Sequence, residues 1–225
     1  MSVVENFNQI KKSIVQAAKA AGRESNSVAL LVVSKTWGAE VVLPLVETGQ
    51  ALYGENRVQE ASEKIPLLPP GLKWHLIGHL QKNKVRKALP LFDTIHTVDS
   101  SELACQIDRI ALELDLLPRV LLQVNVGAET QKFGFSLDEL REQMGDLLAL
   151  RRLNIVGLMA IPPFADDPED VRPHFQALRH LRDELEKTFS HPLPELSMGM
   201  TSDFEVAIQE GATIVRVGSA IFGTR

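Results

Sequence analysis

Val28-Ala29-Leu30-Leu31-Val32-Val33-Ser34-Lys35 is a continuous apolar run that turns polar only at its last two positions. A strand with one wet face would alternate apolar and polar residues, so this run reads as a strand buried on both faces, as in a parallel sheet. Upstream, Phe7, Ile10, Ile14 and Ala17 recur at helical spacing, which predicts one helix before it. Downstream the alternation repeats. Further strands are predicted at Leu52-Tyr53, Trp74 to Gly78, Thr94 to Asp99, Val120 to Val126, Ile155 to Met159, Leu196 to Met198 and Thr213 to Val217. Helical stretches separate them, among them Ala39 to Glu47 with Gly49 as a C-cap, a basic helix over Gln81 to Leu91, and the longest over Asp170 to Phe189. Ser101 and Ser136 are read as openers of two of these helices, each with acidic residues in the first turn. Eight strands alternating with helices predict one (β/α)8 TIM barrel over residues 1–225 with an extra N-terminal helix, close to the ~250 residues usual for that fold. A doubly wound open sheet is the alternative, but no strand-to-helix turn carries the spaced glycines of a dinucleotide site.

Composition narrows the function classes. The 225 residues carry 24 Lys+Arg and 29 Asp+Glu, a net charge of −5, which makes no global electrostatic case for nucleic acid. The single cysteine, Cys105, excludes an intrachain disulfide, fits a reducing cytoplasm and is read as core packing on a helical pattern. No apolar run is long enough to span a bilayer, and the N-terminus lacks the pattern of a signal peptide. A soluble cytoplasmic protein is expected, with no membrane partner.

Chemistry in such barrels sits at the C-terminal ends of the strands, with phosphate often held after the seventh and eighth. The polar residues there are Ser34-Lys35, Glu55-Asn56, Gly78-His79, Asn125, Ser197 to Ser202 and Gly218-Ser219. Gly218-Ser219-Ala220 is a small-residue turn that lets backbone N–H groups approach an anion. Arg216, inside the last strand, needs a buried acceptor unless it snorkels to solvent. A lysine at the edge of a buried strand can be desolvated, which frees its amine to attack a carbonyl. Phosphate at one end and an aldehyde on Lys35 at the other would describe pyridoxal 5′-phosphate. Pattern alone leaves this open against a solvated lysine and an ordinary turn.

Five segments in order carry a resemblance. They are Val33-Ser34-Lys35-Thr36, Gly54-Glu55-Asn56-Arg57-Val58-Gln59-Glu60, Trp74-His75-Leu76-Ile77-Gly78-His79-Leu80-Gln81-Lys82-Asn83-Lys84, Leu196-Ser197-Met198-Gly199-Met200-Thr201-Ser202-Asp203 and Val215-Arg216-Val217-Gly218-Ser219-Ala220-Ile221-Phe222-Gly223. Together they resemble the pyridoxal phosphate homeostasis proteins over nearly the whole chain. That resemblance implies a barrel like the N-terminal domain of alanine racemase, with the cofactor as a Schiff base on Lys35. It further implies phosphate binding by Ser197 with Met198 and by Gly218-Ser219. Arg216 would face the pyridine nitrogen, Asn56 would lie against the ring, and His75 would stand near the site. Two positions depart from the family pattern: Arg57 stands in place of a tyrosine, and Thr201 replaces a serine while keeping the hydroxyl.

A guanidinium at the pyridine nitrogen discourages its protonation, which weakens the ring as an electron sink. The chain also leaves no room after the eighth strand for a second domain with an opposing acid/base. The expected function is therefore to hold and deliver the cofactor with little or no turnover, the recipients being pyridoxal-phosphate-dependent apoenzymes and the state a monomer. The competing readings are a racemase- or decarboxylase-type enzyme on amino acids and, more remotely, a sugar-phosphate barrel enzyme using Lys35 without a cofactor. Elsewhere plain explanations suffice. His75 and His79 fall on a strand and a loop rather than on one helix face, so no metal is expected there, and His174, His180 and His191 are read as surface residues. The basic segment Gln81 to Lys87 is read as a solvated face, and Asp166 to Asp170 as a loop entering a helix N-terminus.

Overall fold

The computed structural model describes residues 2–223 apart from 128, 130 and 132. Eight parallel strands close into a ring: β1 (Ala29–Val33), β2 (Leu52–Glu55), β3 (Lys73–Leu76), β4 (Thr94–Val98), β5 (Arg119–Val124), β6 (Asn154–Ala160), β7 (Glu195–Ser197) and β8 (Ile214–Val217). Each pairs with the next, and β8 returns to β1 through Ala29–Ile214 to Val32–Val217. Helix α1 (Val3–Ala20) precedes the ring. The strands are followed in turn by α2 (Ala39–Val46), α3 (Val58–Lys64), α4 (Val85–Ala88), α5 (Ser101–Glu113), α6 (Leu137–Leu148), α7 (Arg172–Phe189), α8 (Phe204–Gln209) and α9 (Ser219–Phe222). This is the expected (β/α)8 barrel with its extra N-terminal helix.

Local chemistry explains where the helices begin. Ser2 and Glu5 form a reciprocal capping box on α1, the Glu5 N–H donating to Ser2 Oγ at 3.2 Å and the Ser2 N–H to Glu5 Oε2 at 2.7 Å. Ser136 and Glu139 repeat it on α6. At α5 the cap is Ser100, not Ser101: Ser100 is extended and its hydroxyl accepts the Leu103 N–H, so Ser101 is already helical. The basic stretch is shorter than periodicity suggests. Lys82–Lys84 form a 3-10 turn and only Val85–Ala88 are α-helical, with no side-chain cap at either start and Pro90 closing the segment.

Strand alternation sorts the core into layers. Most buried apolar residues lie between the ring and its helices, including Leu30, Val32, Tyr53, Trp74, Leu76, Leu196, Met198, Val215 and Val217. Their neighbours of opposite parity form two small clusters inside the ring, Leu31, Val33 and Ile214 on one side and Leu121, Val156 and Met159 on the other. Each such buried side chain contributes about 1.5–3 kcal/mol, so the interior is a packed plug rather than a pore.

Three surface expectations change. Cys105 is exposed and not in the core: the buried stripe of α5 is Leu103, Ala104, Ile107, Ile110 and Ala111, and residue 105 falls off it. His180 is exposed as expected, but His174 and His191 are half-buried, donating to the carbonyls of Val126 at 3.1 Å and Ile155 at 2.9 Å. Among the described residues, no helix is long and apolar enough to cross a membrane.

Candidate cofactor site

A cavity of about 380 Å³ opens at the C-terminal mouth of the ring. Because the strands are parallel, their inward positions at this end converge on it. Lys35 follows β1, Asn56 follows β2, and Arg216 lies in β8 just before Gly218 and Ser219. Met200, Thr201 and Ser202, beyond β7, complete the polar side, while Val33, Ile77 and Ile161 are the apolar walls. Two glycines set the close approaches. A Cβ on Gly78 would lie 2.1 Å from the Asn56 carbonyl oxygen, and one on Gly218 would lie 3.0 Å from that of Val33.

Arg216 is 4% exposed, so it does not snorkel. Its Nη1 donates to the Ser197 carbonyl and hydroxyl, both at 2.7 Å, and Nη2 donates to the Ala160 carbonyl at 2.9 Å. Burial pushes this guanidinium down to about 10, with Asp203 acting in the opposite sense, so it stays charged at neutral pH. Nε makes no hydrogen bond among the described residues, which leaves a cationic donor for a ligand. The Ser219 hydroxyl donates to Thr201 Oγ1 at 3.1 Å, so the loops after β7 and β8 meet there. At the start of α9 the N–H groups of Ser219 and Ala220 have no acceptor among the described residues. Lys35 is exposed.

The eight anticipated residues separate into two groups. Lys35, Asn56, Arg216, Gly218 and Ser219 line the cavity. Ser197, Met198 and His75 do not. Met198 points outward into the layer under the helices, as strand parity requires beside an inward Ser197. Ser197 is fully buried and holds Arg216, not the cavity surface. His75 lies deeper in the ring, its Nδ1 2.8 Å from His96 Nε2, while His96 Nδ1 lies 2.9 Å from Ser197 Oγ. Burial drives His75 down to about 4 and His96 well below the ordinary histidine range. Thr201 belongs to the expected polar stretch Ser197 to Ser202, whereas His96 and the wall residues Ile77 and Ile161 are additions from the structure. Alternation within Thr94-Ile95-His96 does mark His96 as inward once a barrel is assumed.

The donor set suits one class of ligand. An amine, a cation offering a hydrogen bond, a hydroxyl pair beside free N–H groups, and apolar walls fit a flat heteroaromatic aldehyde with a phosphate tail. Neutral sugars would leave the cation and the apolar walls unused.

The alanine racemase, N-terminal domain family matches residues 6–225. The pyridoxal phosphate homeostasis protein of Aquifex aeolicus is 44% identical over 226 residues, covering 100% of this chain and 99% of that protein. The protein of the same name from Escherichia coli strain K12 is 40% identical over 231 residues, covering 99% and 97%. Among solved structures, PipY of Synechococcus elongatus with pyridoxal phosphate bound superposes with a TM-score of 0.82 at 39% identity, over 93% of this chain and 100% of that one. An alanine racemase of Clostridium difficile shares the fold alone, with a TM-score of 0.78 at 18% identity, over 100% of this chain and 57% of that one.

Proposed function

The chain belongs to the alanine racemase N-terminal domain family, and from that premise we propose that it is a pyridoxal phosphate homeostasis protein, a single barrel over residues 1–225 that holds pyridoxal 5′-phosphate and passes it on. Lys35 holds the aldehyde carbon as a Schiff base. Arg216 Nε donates to the ring nitrogen, Asn56 lies against the ring, and Ser219, Thr201 and the first N–H groups of α9 bind the phosphate. When bound, the cofactor supplies an electrophilic carbon that exchanges between amines.

One observation carries the reading of little or no turnover. Among the described residues lining the cavity, Lys35 and Arg216 are the only ionisable ones. Proton removal and return on opposite faces of an amino acid needs a second acid/base, and nothing here provides it. Arg216, already bound to three oxygens and charged at neutral pH, also disfavours a protonated ring nitrogen. The recipients are pyridoxal-phosphate-dependent apoenzymes of the cytoplasm, the protein acts as a monomer, and nucleic acid and membrane play no part.

The test is an absorbance spectrum of the purified protein with added pyridoxal 5′-phosphate, before and after borohydride, beside Lys35→Ala. A reduced adduct mapping to Lys35 and lost in the variant supports the binding half. Free amino acids incubated with the loaded protein should show no racemisation, decarboxylation or transamination. Robust turnover would move the chain to the enzyme reading, and a protein that takes up no cofactor would favour the sugar-phosphate reading.

A further inference from the structure

Behind Lys35, on the outer face of the ring, lies a buried ionic cluster that the cavity does not use. Lys64, the last residue of α3, is 5% exposed. Its Nζ donates to the Ser34 carbonyl at 2.7 Å, to Glu55 Oε1 at 2.6 Å and to Glu60 Oε1 at 3.1 Å. The Ser34 hydroxyl donates to the same Glu55 oxygen at 2.7 Å, and Glu60 Oε1 also accepts the backbone N–H of Thr36. The residues on either side of Lys35 are thus both tied to one cluster, while strand parity turns Lys35 itself inward.

Thr36 sits at φ 67, in the left-handed region, where a β-branched residue is an outlier. Such a conformation persists only where its surroundings hold it. Glu60 holds the N–H, the Trp37 N–H closes the turn onto the Ser34 carbonyl at 3.1 Å, and the Trp37 ring stacks on Phe222 with centroids 5.7 Å apart. Fastening α3 to the sheet does not by itself call for an ionic cluster, because apolar side chains of similar volume do as well. What those side chains could not do is accept an N–H and donate to a carbonyl on the two flanks of one residue.

Building on the cofactor reading above, we propose that Glu60, Lys64 and Glu55 are positioning residues that clamp Ser34 and Thr36 and so aim the Lys35 amine into the mouth of the ring. They touch no ligand. The step they serve is addition of the neutral Lys35 Nζ to the aldehyde carbon: a C–N bond forms, and the aldehyde oxygen leaves as water with the two amine hydrogens. Without the clamp, Thr36 relaxes towards φ < 0 and Lys35 swings away.

The experiment follows covalent capture of pyridoxal 5′-phosphate by borohydride trapping, with reversible binding measured separately in a Lys35→Ala background. Glu60→Ala should slow capture at Lys35 about tenfold and leave reversible binding in the Lys35→Ala background unchanged. Adding Thr36→Gly should restore much of the loss, because glycine keeps φ > 0 without help. Capture at the wild-type rate in Glu60→Ala overturns the proposal. So does an equal loss of reversible binding in the Lys35→Ala background, or no recovery with Thr36→Gly. If the wild-type chain captures no cofactor, the functional reading fails, and the clamp is read without it. Reductive methylation by formaldehyde and cyanoborohydride should then label Lys35 at a different rate in Glu60→Ala than in wild type, relative to exposed Lys12 and Lys19. An unchanged ratio overturns the clamp.

Discussion

Arg216 of β8 grips Ser197 of β7 twice, through its carbonyl and its hydroxyl, with both distances 2.7 Å. A guanidinium only donates, so the Ser197 hydroxyl accepts from it, and His96 Nδ1 is the acceptor within reach of the hydroxyl hydrogen among the described residues, which assigns that hydrogen to it. His96 then carries its proton on Nε2 and donates to His75 Nδ1. One buried cation thereby orders the direction of three hydrogen bonds across the ring.

Ser197→Ala removes the middle of that chain and leaves Arg216 with two carbonyl acceptors. The free energy of unfolding should drop by about 1–3 kcal/mol in a urea titration, because a charged donor and a buried imidazole each lose a partner. A change within about 0.5 kcal/mol would show that the hydroxyl is not part of an ordered chain.

Acid should destabilise the fold through the histidine pair. Both are held neutral, His75 at about 4 and His96 well below the ordinary value, so the unfolded chain binds more protons between about pH 6.5 and 4. Stability therefore falls as pH drops through that window, by on the order of 3 kcal/mol from His75 alone. Glu55 acts in the other sense, since burial raises its carboxyl, and it softens the slope. Urea midpoints at pH 7.5, 5.5 and 4.5 measure the trend, and His75→Gln with His96→Gln should flatten it.

Two glycine substitutions should have different consequences. Gly78→Ala drives a Cβ into backbone atoms of Asn56 and should cost about 2–3 kcal/mol of stability along with ligand binding. Gly218→Ala meets the Val33 carbonyl oxygen at 3.0 Å and the Val33 Cβ at 3.2 Å, so a slight parting of β1 and β8 suffices. Pyridoxal 5′-phosphate affinity in a fluorescence titration should weaken roughly tenfold, about 1.4 kcal/mol, with the melting curve little changed.

The Cys105 thiol should react with a disulfide reagent in the folded protein, one equivalent per chain, as fast as in denaturant. Protection in the native state would return Cys105 to the core.

Much of this molecule can be read before it is folded. The apolar run into Ser34-Lys35 marks a doubly buried strand, and its alternation with amphipathic helices leads to the ring. Lys35, Asn56, Arg216 and Gly218-Ser219 are legible because barrel chemistry sits where strands end. Alternation turns His96 inward, but its partner is not legible, because Ser197 is 101 residues away and meets it only across the closed interior. Lys64 reads as an ordinary helix-surface lysine until α3 is laid on the sheet beside Ser34. Met198 belongs to the motif, but parity decides which members face the cavity, and it turns Met198 outward. Cys105 could have been excluded from the core by helical phase, since Leu103, Ile107 and Ile110 already define the buried stripe.

The pairing of β1 with β8 joins Lys35 to Gly218 and Ser219 by the longest-range contacts in the barrel. Contacts so distant in sequence form late, since the entropy of closing the loop must first be overcome. A partly folded chain, with seven strands assembled and the seam open, carries the lysine but not the Gly218-Ser219 turn proposed to hold the phosphate. Under that proposal ligand capture reports completed ring closure, and a kinetic refolding experiment can use the colour of the proposed Lys35 adduct as its clock.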